Sequence, residues 1–381
     1  MHMQLKNKQA LQLSGAILAI SVTFAAVLGS VPRETLLRWG TNAALLSAGF
    51  QQPEGGAEAL SERLDRKPAE GPNPGQTESS SSASLPSQNT EPSGADQDPG
   101  KYKDLLNIVV PNKEPPGNNG SGGIVSEQRM SIGDSFIEGI AFRNKSGKSL
   151  DIEEQLSRKP DIHIRDTDEP QVLIMHTHTT EAYMEYYAGY YNSGDGGRSQ
   201  DNTKNVVYVG DVLAAQLEAC GIKVLHDTAV HDYPNYSGAY DRSAETVAKD
   251  LEKYPSIQVV IDLHRDGIML DDTAKVKPTV EINGRKAAQI MIITGVVSTD
   301  SLPHPNWQEN LRLTLRLQQA VNTKYEGLIR PLSIVASRYN QHLSKGAMLI
   351  EMGSEANTMD EAVYSAQLLG KTLAEVLGTL K

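Results

Sequence analysis

The fold is decided by the stretch Gln171-Val-Leu-Ile-Met-His-Thr-His-Thr-Thr-Glu181. Its four consecutive apolar residues, 172–175, predict a short buried strand, and His176, His178 and Glu181 follow as soon as that strand ends. Imidazole and carboxylate side chains contribute little to a hydrophobic core. They are well placed to bind a ligand, because open α/β sheets bind ligands beyond the carboxyl ends of their strands.

Two later strands predicted from apolar runs also end in side chains that can bind a metal or a proton. The run 257–263 is followed by His264, and the run 346–351 ends in Glu351. Alternation of these strands with amphipathic segments predicts an α/β fold in which helices cover a mostly parallel sheet. The predicted helices lie at 205–219, 243–254, 311–325 and 360–377. Parallel strands have their carboxyl ends on one edge, so we expect these side chains to converge.

The converging side chains have the composition of a catalytic zinc site, which has about three nitrogen or oxygen ligands and one open position. His178 and Glu181 are three residues apart and would face the same way on one helical turn, and His264 would supply a third ligand. His176 lies two residues before His178 and would point to the same side of a strand. It is therefore either the first ligand or a partner of the ligands. Glu351 is the predicted acceptor of a proton from water at the metal.

Other polar residues near these strands are assigned structural or surface roles. Arg265 and Asp266 are adjacent in sequence and are predicted to form a local ion pair. His226 and His231 follow a predicted strand in a loop rich in Asp and Tyr, and are predicted to be exposed. We do not expect these four residues to bind a metal.

Composition excludes several classes of function. The chain has 381 residues and a net charge of −11, without a long basic stripe, which argues against a nucleic acid partner. Its single cysteine, Cys220, excludes an intramolecular disulfide and a cysteine-rich zinc site.

The N-terminal segment predicts attachment to a membrane. Lys6 and Lys8 precede an uncharged run, 9–32, that is long enough to span a hydrocarbon core of ~30 Å. Residues 1–34 are therefore predicted to be a cytoplasmic tip and an uncleaved transmembrane anchor, with the rest of the chain outside. A cleaved signal peptide is the alternative, because small residues stand near the end of the run.

The next segment, 35–123, is predicted to be a linker. Most of it is rich in Pro, Gly and Ser, a composition that cannot bury enough apolar surface to offset the entropy of ordering. A short apolar island at 105–110 interrupts it. The globular domain is predicted to occupy 124–381.

Over about residues 135–381 the chain resembles the stage II sporulation protein P family. The resemblance is carried by four motifs in the same order, His176-Thr-His-Thr-Thr-Glu-Ala-Tyr183, Asp262-Leu-His-Arg-Asp266, Arg338-Tyr-Asn-Gln341 and Leu349-Ile-Glu-Met-Gly353. It implies a membrane-anchored, Zn²⁺-dependent N-acetylmuramoyl-L-alanine amidase fold for 124–381, with an additional endopeptidase activity on stem-peptide cross-links.

The resemblance also implies a setting for the protein. Its substrate would be peptidoglycan and its partner a lytic transglycosylase like stage II sporulation protein D. It would act in forespore engulfment, between the mother-cell and forespore membranes. In such an enzyme, Arg242 and Arg338 are candidates for binding the carboxylates of stem peptides.

Two other functions fit the same residues. The spacing of His178 and Glu181, with a later histidine, is also that of zinc carboxypeptidases. A wall-binding module without catalysis is the third possibility, against which the presence of Glu351 argues.

Overall fold

The computed structural model describes residues 102–131 and 133–381. The predicted anchor, and the part of the predicted linker before residue 102, lie outside the described residues. Within the two described ranges, no helix has the length and apolar character needed to cross a membrane.

The main sheet has eight strands, which we number with the others in chain order. In spatial order they are β2 (Ser135–Ile137), β3 (Ile140–Asn144), β12 (Leu332–Val335), β11 (Ile290–Gly295), β13 (Gly346–Ser354), β7 (Val259–Asp266), β4 (Val172–Met175) and β6 (Val224–His226). Five of its seven pairings are parallel, and two are antiparallel. The predicted α/β class with a mostly parallel sheet is confirmed.

The centre of this sheet sets the geometry of the candidate site. Strand β7 is buried at all eight positions and pairs in parallel with β4 on one side and β13 on the other. In these pairings Asp262 is opposite Met175, and His264 is opposite Glu351. Paired residues of neighbouring parallel strands point to the same face, so the side chains of His264 and Glu351 lie side by side.

Five helices cover the sheet, α1 (Ile152–Ser157), α2 (Val206–Ala219), α3 (Ala239–Lys253), α4 (Trp307–Lys324) and α5 (Met359–Gly378). Residues of α1, α2, α4 and α5 share one large core with the sheet. Helix α3 packs on the other face through Val247 and Leu251. Side-chain caps define three of the helix starts. Asp151 accepts from the backbone of α1, Asn205 accepts from the backbone of α2, and Thr358 forms a capping box with Glu361.

A second, smaller sheet was not predicted from the sequence. Its strands are β10 (Arg285–Ala288), β9 (Ala274–Ile282), β1 (Gly123–Gln128) and β5 (Tyr190–Tyr191), with β8 (Met269–Asp271) paired to β9. Lysines interrupt the apolar pattern of β9, and one of them, Lys277, is buried in an ion pair with Glu361 at 2.7 Å. A paired lysine in a strand gives no hydrophobic signal.

The described part of the predicted linker, residues 102–123, runs along the domain surface. Leu105, Ile108 and Val110 pack against the main core. The carbonyl of Ile108 accepts a hydrogen bond from the side chain of Gln367 on α5 at 2.9 Å. The packed part of the chain therefore includes the apolar island and begins before residue 124.

Replacing Ile108 by Ala should lower the free energy of unfolding by about 1 kcal/mol, because a half-buried side chain leaves the core. Val109 is 56% exposed and offers a matched control, since Val109→Ala should change stability by less than ~0.5 kcal/mol. Denaturant unfolding of the full-length variants measures both. Equal effects at the two positions would contradict the packing of this segment.

Candidate metal centre

Four predicted residues meet at the carboxyl edge of the central strands. His178 and Glu181 lie in the turn after β4, His264 lies near the end of β7, and Glu351 lies in β13. All four side chains are buried, with relative exposures of at most 2%. Buried imidazole and carboxylate groups require partners, so this cluster has to be explained by its contacts.

The contacts connect His178, Glu181 and His264. Nδ1 of His264 lies 3.4 Å from Oε2 of Glu181, and the ring of His178 stands edge-on to the ring of His264 with centroids 5.3 Å apart. Nδ1 of His178 and both nitrogens of His264 lack a hydrogen bond of good geometry. Across the residues that the structure describes, no three His, Cys, Asp or Glu side chains are arranged so that together they could hold a metal ion.

These three side chains nevertheless fit a metal ion by their chemistry. Two ligands ~2.0 Å from a tetrahedral zinc ion lie about 3.3 Å apart, close to the separation of the His264 and Glu181 donors. Nδ1 of His178 has no hydrogen bond to give up, whereas His264 would exchange its close contact with Glu181 for the metal. Two imidazoles and one carboxylate are a ligand set that zinc uses in catalytic sites.

Electrostatics distinguish the two histidines. Burial lowers the pKa of His178 to about 3, so its ring is neutral at physiological pH. Burial also disfavours the charged form of His264, but Asp262 and Glu181 outweigh it and hold the pKa of His264 well above its ordinary value. Oδ1 of Asp262 lies 2.8 Å from Nε2 of His264. Burial opposes ionisation of Glu181, yet the imidazolium of His264 lowers the pKa of Glu181 to about 2.

Glu351 has no hydrogen-bond partner for either carboxylate oxygen. Burial, together with the negative charge of Asp266, raises its pKa well above the ordinary value. Asp266 itself pairs with the buried Arg330 at 2.9 Å. The guanidinium of Arg265 donates to backbone carbonyls of residues 182, 196 and 197. The local ion pair between Arg265 and Asp266 stays a prediction.

His176 lies away from this cluster. Its Nδ1 is 2.8 Å from the carbonyl of Leu263, and its Nε2 is 2.9 Å from Nε2 of His226. With both nitrogens engaged, its ring is not available as a ligand in this arrangement. Of the two alternatives for the first ligand, the structure therefore favours His178. His226 is buried, contrary to the prediction, and so is His231.

The two predicted substrate-binding arginines are not part of the cluster. Arg242 donates to three backbone carbonyls of the loop before α3, those of residues 231, 235 and 237, at 2.5–3.0 Å. Arg338 donates to the carbonyl of Pro303 at 3.0 Å. The contacts of Arg242 indicate that it holds the loop in place, a role that differs from the predicted one.

Sequence reasoning missed two side chains beside the cluster. The ring of Tyr236 stacks on His178 with centroids 4.6 Å apart, and the guanidinium of Arg198 lies 4.5 Å from the centroid of the Tyr236 ring. Arg198 also pairs with the buried Asp232 at 2.6 Å and approaches Glu181 to 3.9 Å. Both lie in irregular loops, where no periodic pattern identifies them. The density of polar and aromatic residues in those loops was the available signal.

Fold and site together define an α/β protein with a candidate metal centre at the carboxyl edge of a parallel sheet. The chain belongs to the stage II sporulation protein P (SpoIIP) family, whose model matches residues 102–376. It is similar to stage II sporulation protein P of Bacillus subtilis (strain 168), with 29% identity over 220 residues. That match covers 55% of this chain and 51% of the relative, so the chain spans about half the length of the curated relative. The family resemblance seen in the sequence is confirmed.

Two solved structures are also similar to part of the chain. One is the N-acetylmuramoyl-L-alanine amidase AmiC2 of Nostoc punctiforme, with 9% identity and a TM-score of 0.31, covering 55% of this chain and 95% of that one. The other is an N-acetylmuramoyl-L-alanine amidase from Clostridium difficile 630, with 14% identity and a TM-score of 0.30, covering 56% and 97%.

Arg242→Ala should loosen the loop that places Tyr236 over His178, because three backbone carbonyls lose their donor. Backbone hydrogen exchange should accelerate at residues 231–238 and remain unchanged in β7 and β13. If Arg242 instead binds substrate, exchange in this loop will stay at the wild-type rate while the KM for stem-peptide substrates rises.

Proposed function

We propose that this protein is a peptidoglycan hydrolase, specifically a zinc-dependent N-acetylmuramoyl-L-alanine amidase. The observation that carries the proposal is the convergence of His178, Glu181 and His264 beside Glu351. All four side chains are buried, and His178, His264 and Glu351 have polar atoms without a hydrogen-bond partner. Membership of the SpoIIP family supports it independently. Buried, perturbed ionisable groups at the carboxyl edge of a sheet are typical of catalytic sites.

In this proposal His178, Glu181 and His264 hold Zn²⁺. A bound zinc ion supplies Lewis acidity, which activates water at neutral pH and polarises a carbonyl group. His178 is ready to bind a metal because its ring is neutral. His264 would have to release its extra proton to bind a metal, because Asp262 and Glu181 both stabilise its imidazolium.

Glu351 is proposed to carry the proton in the reaction. Glu351 lies beside His264 on the same sheet face, which places its carboxyl group next to the ligands. This carboxyl group is not needed to complete the set of three ligands. It accepts a proton from the attacking water and delivers it to the leaving nitrogen of the amide. Its buried surroundings raise its proton affinity, which suits a group that both takes up and releases a proton.

The biological setting is part of the proposal. We infer action in sporulation, with residues 1–34 as a membrane anchor and the domain between the mother-cell and forespore membranes. A lytic transglycosylase like stage II sporulation protein D is the proposed partner. An endopeptidase activity on stem-peptide cross-links is proposed in addition to amidase activity. Family membership supports the sporulation setting, the partner and the endopeptidase activity. The uncharged run that follows Lys6 and Lys8 supports the anchor.

Product analysis separates this proposal from its alternatives. Purified full-length protein in detergent is incubated with purified peptidoglycan, with and without a chelator, and the products are identified by mass spectrometry. An amidase releases intact stem peptides and leaves muramoyl ends without peptide. Release of single C-terminal amino acids would indicate a carboxypeptidase. Binding without any product, in the presence of zinc, would indicate a wall-binding module.

Removing a ligand should remove metal and activity together. His264→Ala and His178→Ala should each bind zinc far more weakly and lose lytic activity, because each leaves only two ligands. His176→Ala should still bind one zinc ion at saturating metal, since its ring faces Leu263 and His226. Elemental analysis measures occupancy, with the exposed His163→Ala as control. Full occupancy in His264→Ala would remove that residue from the site.

Glu351→Gln should separate catalysis from metal binding. The amide keeps the shape of the side chain but cannot accept a proton, and losing a general base typically slows a reaction by ~10²–10⁴. The variant should fold, retain stoichiometric zinc and bind peptidoglycan, with turnover at least ~100-fold slower. Loss of zinc would make Glu351 a ligand, and near-normal turnover would assign the proton transfer to another group.

A further inference from the structure

A chain of hydrogen bonds lies on the face of the sheet opposite α3, away from the metal ligands. Asp211 of α2 is 2.9 Å from Nδ1 of His226, and Nε2 of His226 is 2.9 Å from Nε2 of His176. Nδ1 of His176 is 2.8 Å from the carbonyl of Leu263, the residue before His264. The chain thus runs from the outer edge of α2 to the backbone of the central strand.

The groups at the two ends of this chain determine which atom donates and which accepts in each of its hydrogen bonds. The carbonyl of Leu263 can only accept, so Nδ1 of His176 donates to it. Nε2 of the neutral His176 ring then accepts, and Nε2 of His226 must donate. Nδ1 of His226 faces the Asp211 carboxylate, which also only accepts. The Asp211 side chain thus anchors the outer end of the chain, and the Leu263 carbonyl anchors its inner end.

Gly210 makes room for this chain. A Cβ atom at position 210 would lie 2.6 Å from Nε2 of His226 and 3.1 Å from Cε1 of His176. Glycine is unfavourable inside a helix relative to alanine. Its presence in the second turn of α2 is explained by the close approach of the two rings to the helix backbone.

His176 also holds the turn that follows it. Its carbonyl accepts hydrogen bonds from Oγ1 of Thr179 at 3.0 Å and from Nδ1 of His231 at 2.8 Å. Ring and backbone of this one residue therefore connect the turn that carries His178 and Glu181 to the strand that carries His264. Displacing the His176 ring would therefore move His178 and Glu181 relative to His264.

We propose that Asp211, His226 and His176 form a positioning relay that fixes the geometry of the metal ligands from the opposite face of the sheet. None of the three contacts the substrate or the metal. The relay rests on the proposed function, because its purpose is to hold the zinc ligands. It acts through the backbone at Leu263 and at His176, as partners beyond the direct ligands do in other metal sites.

Asp211→Asn tests the relay from a position that is 26% exposed and remote from the ligands. The amide keeps the shape but replaces one carboxylate oxygen beside Nδ1 of His226 with an NH2 group, which cannot accept a hydrogen bond. Loss of such a partner typically weakens metal binding or activity by ~10–100-fold, and we expect about tenfold weaker zinc binding here. The visible spectrum of the cobalt-substituted protein should shift, and kcat should fall without a change in KM.

Glu218→Gln is the matched control, since it makes the same change on the same helix. Glu218 accepts a hydrogen bond from the backbone N–H of Val224, the first residue of β6. It should leave zinc affinity within twofold of the wild type, with the wild-type cobalt spectrum. Gly210→Ala is a second test, which keeps every polar group but pushes the rings apart. It should reproduce the losses of Asp211→Asn even though alanine favours the helix.

The outcomes separate the relay from the proposed function. Wild-type zinc affinity, cobalt spectrum and kcat in both Asp211→Asn and Gly210→Ala would overturn the relay and leave the hydrolase proposal standing. A wild-type protein that neither binds zinc nor hydrolyses peptidoglycan would overturn both. Weaker zinc binding in both variants, with the Glu218→Gln control unchanged, would support the relay.

Discussion

The parallel pairing of β7 with both β4 and β13 is the constraint on which the candidate site depends. It places His264 opposite Glu351 and brings the turn after β4 to the same edge. Residues that are far apart in sequence therefore meet at one edge of the sheet, where the strand ends and the short turn after β4 bring them together. Because side chains alternate along a strand, a slip of one residue in β7 would turn His264 to the other face. Burial on both faces of β7 makes such a slip costly.

Burial acts on the site residues in different ways because their neighbours differ. His178 has aromatic neighbours and becomes neutral, whereas His264 stands between Asp262 and Glu181 and remains charged. Glu351 is shielded from solvent near another carboxylate, so its neutral form is favoured. A divalent cation would reverse this balance, since it would favour the ionised forms of nearby carboxylates and repel the extra proton of His264.

The sequence was sufficient for the features that depend on apolar periodicity. The central strands and the four long helices were predicted within a few residues. The polar residues that follow the central strands were predicted to converge. The small sheet was not, because Lys277 in β9 is buried through its pairing with Glu361 and not through hydrophobicity. The aromatic cover of His178 was missed for a related reason. Tyr236 and Arg198 belong to irregular loops, whose contacts depend on tertiary structure.

The different positions of His176 and His178 show where a local rule stops applying. Two residues spaced by two point the same way only while the chain remains a strand, and β4 ends at Met175. His176 still follows the strand direction and turns towards α2, whereas His178 lies past the edge of the sheet and packs against Tyr236 and His264. The break in the strand thus gives two nearby histidines different environments. One histidine has both ring nitrogens engaged, and the other keeps an Nδ1 atom without a hydrogen bond.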